Sequence, residues 1–216
     1  MGNRDTQTGL QILDRRTALA RVTIGLYLVS WALVLLVQLA EAVGVYDFET
    51  APESVSLMVV GLVLLLAALV SLASFVVIGI WIYRAHANLW SASGEGLQFK
   101  PGWAIGWYFI PIANLFKPFQ AMRELSASSH GYADRYGDAP QGELPSWWAG
   151  WIAGNALSMV SLRIAGIGGE ASTPVTDGID ALSTVCMLAS AWFLLKIIEE
   201  VNRAQQTSLG VQETFA

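Results

Sequence analysis

Long windows of this chain contain no Asp, Glu, Lys or Arg, and the charges gather in the stretches between them. That blockiness, more than apolarity as such, separates a membrane protein from an apolar globular one. Hydrophobic residues make up 54% of the 216 and charged residues 13%, against about a quarter charged in soluble domains. A run from about Val22 to Val43 and a second from Val55 to Tyr83 each exceed the ~20 residues that cross a hydrocarbon core. Two further windows read as spans, Trp147 to Ile167, marred by Arg163, and Ile179 to Ile198, with Asp180 and Lys196 at its edges. Arg163 sits near the end of its window, where a long side chain can snorkel to the interface.

These windows predict an all-α, polytopic membrane helix bundle of four transmembrane helices. They also predict a single membrane domain over residues 22–198, preceded by a cytoplasmic segment, 1–21, and followed by a cytoplasmic tail, 199–216. Arg4, Arg15, Arg16 and Arg21 before the first window superficially resemble a secretory signal. The stretch is too long for a signal core and reaches Glu41 without a small-residue cleavage site, so an uncleaved first helix is expected. Met1, Gly2 and Thr6 fit a myristoylation pattern short enough to arise by chance.

Orientation follows from the basic residues. The connection after the first window holds Glu41, Asp47, Glu49 and Glu53, and that between the third and fourth holds Glu170 and Asp177, with no Lys or Arg in either. With both termini inside, eleven of the twelve Lys and Arg are cytoplasmic and Arg163 is the exception, which the positive-inside rule favours. The expected location is therefore the inner, or plasma, membrane.

A fifth apolar window, residues 103–116, is short and interrupted by Pro111 and Asn114. Windows of that length mark re-entrant, interfacial or buried segments more often than spans, so a Pro-broken re-entrant or interfacial segment on the cytoplasmic side is expected. Pro111 removes the donor for the Trp107 carbonyl. Pro118 suits the first turn of an amphipathic helix over about 118–130 carrying Phe119, Met122, Arg123 and Leu125. The second window overhangs the bilayer, and Trp81, Arg84, Ala85, Asn88 and Leu89 share one face of the overhang. Arg84, Asn88, Asn114, Lys117 and Glu124 are the candidate polar cluster, with Glu124 as a partner for Arg84.

Seven of the nine tryptophans, Trp81, Trp90, Trp103, Trp107, Trp147, Trp148 and Trp151, fall at the expected inner interface. An aromatic belt explains them; an aromatic-lined pocket for a lipid headgroup is the sharper reading. Trp81, Trp103, Trp107, Trp147, Trp148 and Trp151 form the candidate aromatic interface.

The run from Trp81 through Arg84, Ala85, Asn88 and Leu89, and that from Pro101-Gly102-Trp103 through Gly106-Trp107, Pro111-Ile112, Asn114-Leu115 and Pro118, followed by Met122-Arg123-Glu124-Leu125, resemble a bacterial membrane family. It is catalogued as domain of unknown function 4328. The resemblance extends more weakly from the second helix to the fourth. It implies a multi-helix membrane domain and supplies no reaction, ligand or catalytic residue.

Other chemistry finds little footing. His86 and His130 lack a second His or Cys at ligand spacing, which leaves haem or pigment ligation by His86 as a minor reading. Cys186 is the single cysteine, so no intrachain disulfide or cysteine cage forms. No zincin, serine-hydrolase or phosphate-loop motif occurs, and the net charge of −5 gives nucleic acid no basic face. Gly150, Gly154 and Ser158 make a small-residue stripe for close helix approach, and Asn155 is expected to bond to Ser183, Thr184 or Ser190 on the facing helix. No catalytic, metal or cofactor residues are assigned. The expected partners are the lipid bilayer and either other membrane proteins or a lipid headgroup. The expected role is a non-enzymatic scaffold or accessory subunit of a membrane assembly, the alternative being a small-solute or lipid transporter or channel with a broken-helix site at Pro111 and Asn114.

Overall fold

A computed structural model describes residues 2–43, 55–92, 96–131, 142–168 and 173–212. The acidic residues Asp47, Glu49, Glu53 and Glu170, and Arg135, lie outside the described residues. The described chain is all-α: α1 (Gly2–Ala42), α2 (Val55–Ala92), α3 (Pro101–Gly106), α4 (Lys117–Ser129), α5 (Leu144–Gly168) and α6 (Pro174–Gln212), with 3-10 turns at Trp107–Phe109 and Ala113–Leu115.

Among the described residues, three helices, over Thr6–Glu41, Met58–Ala92 and Pro174–Leu209, are long and apolar enough to cross a membrane. Only 11% of the most apolar window of each of the first two is buried, and Leu36 and Leu62 among others stay exposed, as side chains solvated by lipid do. The expectation of four spans is corrected to three. The third expected span is helical, as α5, but Asn155, Arg163, three serines and the tryptophans of its first turns dilute its apolarity below that of a span. The expected re-entrant segment is corrected too. Residues 101–116 form a short Pro-broken helix and two 3-10 turns, not one of the helices long and apolar enough to cross a membrane.

The break has a definite geometry. The Trp107 carbonyl, which Pro111 leaves without a helical donor, is met by the Ile110 N–H at 3.4 Å. Ala113 N–H bonds back to the Pro111 carbonyl at 2.7 Å around Ile112, whose φ of 65° and ψ of −57° make a γ-turn of the rare, strained kind. Pro101 and Pro118 occupy the first turns of α3 and α4, where a missing N–H costs nothing. Gly131, at φ +84°, follows the α4 cap in the left-handed conformation that ends many helices.

The chain divides into two compact units. Unit 1 comprises Met1–Val22, Phe75–Pro145 and Phe193–Ala216, and unit 2 comprises Thr23–Ser74 and Ser146–Trp192. Leu13, Trp81, Met122, Leu125, Ile198 and Val201 form the fully buried centre of unit 1. There α1 runs antiparallel to α2, with Trp81 Nε1 donating to Thr17 Oγ1 at 2.9 Å and Arg16 to the Ile80 carbonyl at 3.1 Å. It is antiparallel to α6 as well, since Asn202 donates to Asp14 at 3.1 Å and Gln206 to the Leu10 carbonyl at 3.0 Å.

In unit 2, Trp31 donates to Ser71 at 2.9 Å and Ser74 to the Thr23 carbonyl at 3.1 Å, tying α1 to α2. Here α5 lies antiparallel to α6. Ser190 donates to the Trp147 carbonyl at 2.9 Å and Ser183 to the Gly154 carbonyl at 2.8 Å. Gly150 and Gly154 permit this approach, because a Cβ at Gly150 would stand 3.0 Å from the Cys186 carbonyl. Thr173 and Thr176 cap α6 reciprocally, Thr176 N–H donating to Thr173 Oγ1 at 3.2 Å and Thr173 N–H to Thr176 Oγ1 at 2.8 Å, a capping-box arrangement ahead of Pro174.

Candidate functional site

The polar centre of unit 1 is a glutamine. Gln205 on α6 is fully buried. Its Nε2 donates to the Ala85 carbonyl on α2 at 3.0 Å and to Ser129 Oγ on α4 at 3.1 Å, and its Oε1 accepts from Asn88 Nδ2 at 3.1 Å. Asn88 also reaches the Gly9 carbonyl of α1 at 3.4 Å, which accepts from Arg84 Nε at the same distance. One amide therefore links α2, α4 and α6, and through Asn88 it reaches α1. Ser208 closes the junction by donating to the Ser129 carbonyl at 2.9 Å. The Gln205 amide has both ends met, as a buried amide requires, whereas Asn88 Oδ1 is buried without a hydrogen-bond partner.

Gly9 is part of this junction by virtue of what it lacks. A Cβ there would lie 2.6 Å from Asn88 Oδ1 and would collide with the Arg84 guanidinium.

Four of the five residues of the expected polar cluster divide between two groups. Arg84 and Asn88 share the Gly9 carbonyl. Glu124, 5% exposed, accepts from the backbone amides of Gln98 at 2.8 Å and Phe99 at 2.9 Å, not from Arg84. Its carboxylate thus fixes the chain that leads into α3, through charge-assisted bonds stronger than neutral ones. Lys117 donates to Gln120 at 3.1 Å, and its ammonium lies 5.6 Å from the Phe99 ring, 5.8 Å from that of Trp107 and 6.0 Å from that of Phe116, within cation–π range. Asn114 sits in the second 3-10 turn with its Oδ1 buried and unpartnered.

A second feature grows from the Lys117 group. Gln98, Phe99, Lys100, Trp103, Trp107 and Lys117 line a cavity of about 350 Å³. Trp103 and Trp107 pair there with ring centroids 5.0 Å apart, and Trp90 Nε1 holds the Phe99 carbonyl at 2.9 Å. Tyr108, in the adjoining 3-10 turn, has its hydroxyl pushed above the ordinary phenol range by burial, so it stays protonated.

The six candidate aromatic residues are likewise divided. Trp81 is fully buried and, with Trp103 and Trp107, belongs to unit 1. Trp147, Trp148 and Trp151 belong to unit 2, where Trp148 stacks on Trp151 at 4.7 Å and 11° and meets Trp147 at 5.1 Å. Asn155 bonds to the Trp151 carbonyl of its own helix at 2.8 Å and contacts Met187 Sδ at 3.8 Å, not the facing hydroxyls, because Ser183 is engaged by Gly154. His86 is buried, with Nδ1 2.9 Å from the Ile82 carbonyl and Nε2 unpartnered. No group of three or more His, Cys, Asp or Glu able to hold a metal ion occurs among the described residues.

The sequence reading missed Gln205, which falls past the last apolar window in a stretch rich in charge and amide. A signal was available. Ile198, Val201, Gln205 and Leu209 recur at helical spacing, and all four are buried.

This is a membrane protein of multi-helix design with no catalytic motif. No curated protein and no solved structure matches it. The family model described as "Domain of unknown function (DUF4328)" matches residues 45–203, which takes in α2 to α5, most of α6 and the cavity beside Lys117, while Gln205, Ser208 and Gly9 of the junction fall outside it, and the chain belongs to that family.

Proposed function

We propose that this protein is a non-enzymatic scaffold or accessory subunit of a membrane assembly, seated in the inner, or plasma, membrane and with other membrane proteins as its partners. The observation that carries this reading is the Gln205 junction. Its buried amides and hydroxyls bond to other helices, which suits a part whose work is to hold a fixed shape.

The orientation is supported by charge. The residue ranges of unit 1 contain eleven of the twelve Lys and Arg, all but Arg163, and the positive-inside rule assigns basic stretches of that kind to the cytoplasmic side. A transport path through Pro111 and Asn114 has no spanning segment behind it and is not adopted.

Native mass spectrometry of material extracted into lipid nanodiscs tests the role. Defined membrane proteins at fixed stoichiometry are expected. A chain that stays alone and instead catalyses solute flux in proteoliposomes would overturn the reading. A reporter inserted in the basic stretch between α2 and α5 tests the orientation, and a periplasmic signal from it would refute it.

A further inference from the structure

We infer that the cavity between Lys100 and Lys117 binds the phosphate of an anionic amphipath, with a phospholipid headgroup as the source that its surroundings favour. Two ammonium groups line one cavity of about 350 Å³, and among the described residues no carboxylate lines it with them. The nearest acid along the chain to Lys117, Glu124, is 5% exposed with its oxygens engaged by the Gln98 and Phe99 amides. It therefore braces the cavity wall and leaves the ammonium charges to an incoming anion.

Lys117 is positioned before any ligand arrives. The rings of Phe99, Trp107 and Phe116 surround its ammonium at 5.6 to 6.0 Å. Of its three N–H donors, Gln120 takes one, and the others remain for phosphate oxygens. Lys100 is exposed and supplies the second charge from the residue just before α3. The volume lies at the small end of the range that encloses compact ligands, roughly 300–1,000 Å³, and suits a phosphoglycerol-sized headgroup.

The surroundings separate a lipid from a soluble phosphate ester. Trp103 and Trp107 offer paired indoles, side chains that favour headgroup level. Phe109, Ile112 and Leu115 follow at 68%, 76% and 56% exposure, which gives acyl chains an apolar surface beside the lysines. This inference does not depend on the scaffold role, since a subunit with or without partners can hold such a lipid.

The test uses the full chain in detergent. Native mass spectrometry counts retained phosphatidylglycerol against phosphatidylcholine, and tryptophan fluorescence follows a titration with glycerol 3-phosphate. Wild type is expected to retain phosphatidylglycerol preferentially, with Lys100→Gln lowering that retention roughly fivefold, the weight of one cationic side chain at an anionic surface. Lys117→Arg should preserve retention and Lys117→Gln should not. A Lys100-dependent fluorescence response to glycerol 3-phosphate without lipid preference supports the same site with a soluble source. Equal retention of both lipids by wild type and Lys100→Gln, with fluorescence unchanged by glycerol 3-phosphate, overturns the inference. Lys100 is exposed and makes no side-chain bond among the described residues, so its variant tests binding without disturbing the fold.

Discussion

The side-chain amide of Gln205 on α6 donates to the main-chain carbonyl of Ala85 on α2 at 3.0 Å. The same nitrogen reaches Ser129 at 3.1 Å, and the oxygen receives Asn88. A polar side chain with no exposure at all is tolerable only because both ends of its amide are met.

Replacing Gln205 with Leu should remove three hydrogen bonds, leaving Asn88 Nδ2 only its 3.4 Å bond to the Gly9 carbonyl and Ser129 Oγ only its bond to the Leu125 carbonyl, and lower stability by about 1–3 kcal/mol. Gln205→Glu should be worse at neutral pH. It keeps the shape but loses both donated bonds and buries a charge without a cationic partner. Thermal unfolding midpoints in one detergent give the order, and a Glu variant as stable as wild type would show that the junction is not closed as described.

At Gly9 the expected defect is steric. Gly9→Ala places a methyl 2.6 Å from Asn88 Oδ1, and Asn88, 2% exposed, has little room to turn away. A loss of about 1–3 kcal/mol is expected for such overpacking. Adding Asn88→Ala removes one of the two obstacles, the flexible Arg84 guanidinium being the other, so the double variant should lose less than the two single losses combined. A double-mutant cycle measures that coupling, about 1 kcal/mol for groups in contact, and strict additivity would mean the two residues do not meet.

What the sequence makes legible here follows from what its signals report. Apolar windows free of charge measure transfer into lipid directly, and those behind α1, α2 and α6 locate three spans. The window behind α5 misleads, since length and scattered apolar residues mask the dilution by Asn155, Arg163 and serine. The face of Arg84 and Asn88 on α2 is readable from helical periodicity. Their partner is not, because it is the backbone carbonyl of Gly9, and a carbonyl has no sequence signature. Gln205 stays hidden for a related reason. Its neighbours Glu199, Glu200, Asn202, Arg203 and Gln206 read as a solvated tail, and only the spacing of Ile198, Val201 and Leu209 shows that one face of that tail is core.

Ile112 offers a test of backbone strain. A β-branched residue at φ 65° and ψ −57° carries of order 1–3 kcal/mol of strain, and its side chain, 76% exposed, recovers little by burial. Ile112→Gly should therefore raise stability by about 1 kcal/mol after the entropy of the freer unfolded chain, itself roughly 0.4–1 kcal/mol, is subtracted. A raised unfolding midpoint is expected, and a lowered one would mean that the isoleucine side chain is covered in the membrane or by a partner.

The glycines of α5 should behave differently from each other although they lie one turn apart on one face. A Cβ at Gly150 would meet the Cys186 carbonyl at 3.0 Å, Ser190 Cβ at 3.2 Å and the Ser190 nitrogen at 3.3 Å, two of them backbone atoms of α6 that move only if the helix moves. A Cβ at Gly154 would meet Met187 Cγ at 2.7 Å and Sδ at 2.8 Å, with the Ser183 carbonyl at 3.2 Å. The tighter contacts there belong to a flexible thioether that repacks readily. Gly150→Ala should thus push α5 from α6 and weaken the Ser190 bond to the Trp147 carbonyl, costing about 1–3 kcal/mol. Gly154→Ala should cost less, and Met187→Ala in the same chain should relieve most of the loss, whereas no trimming of a single side chain should rescue Gly150→Ala. Unfolding midpoints of the four variants decide the matter, and a rescue of Gly150→Ala by Met187→Ala would show that the two helices meet at a different register.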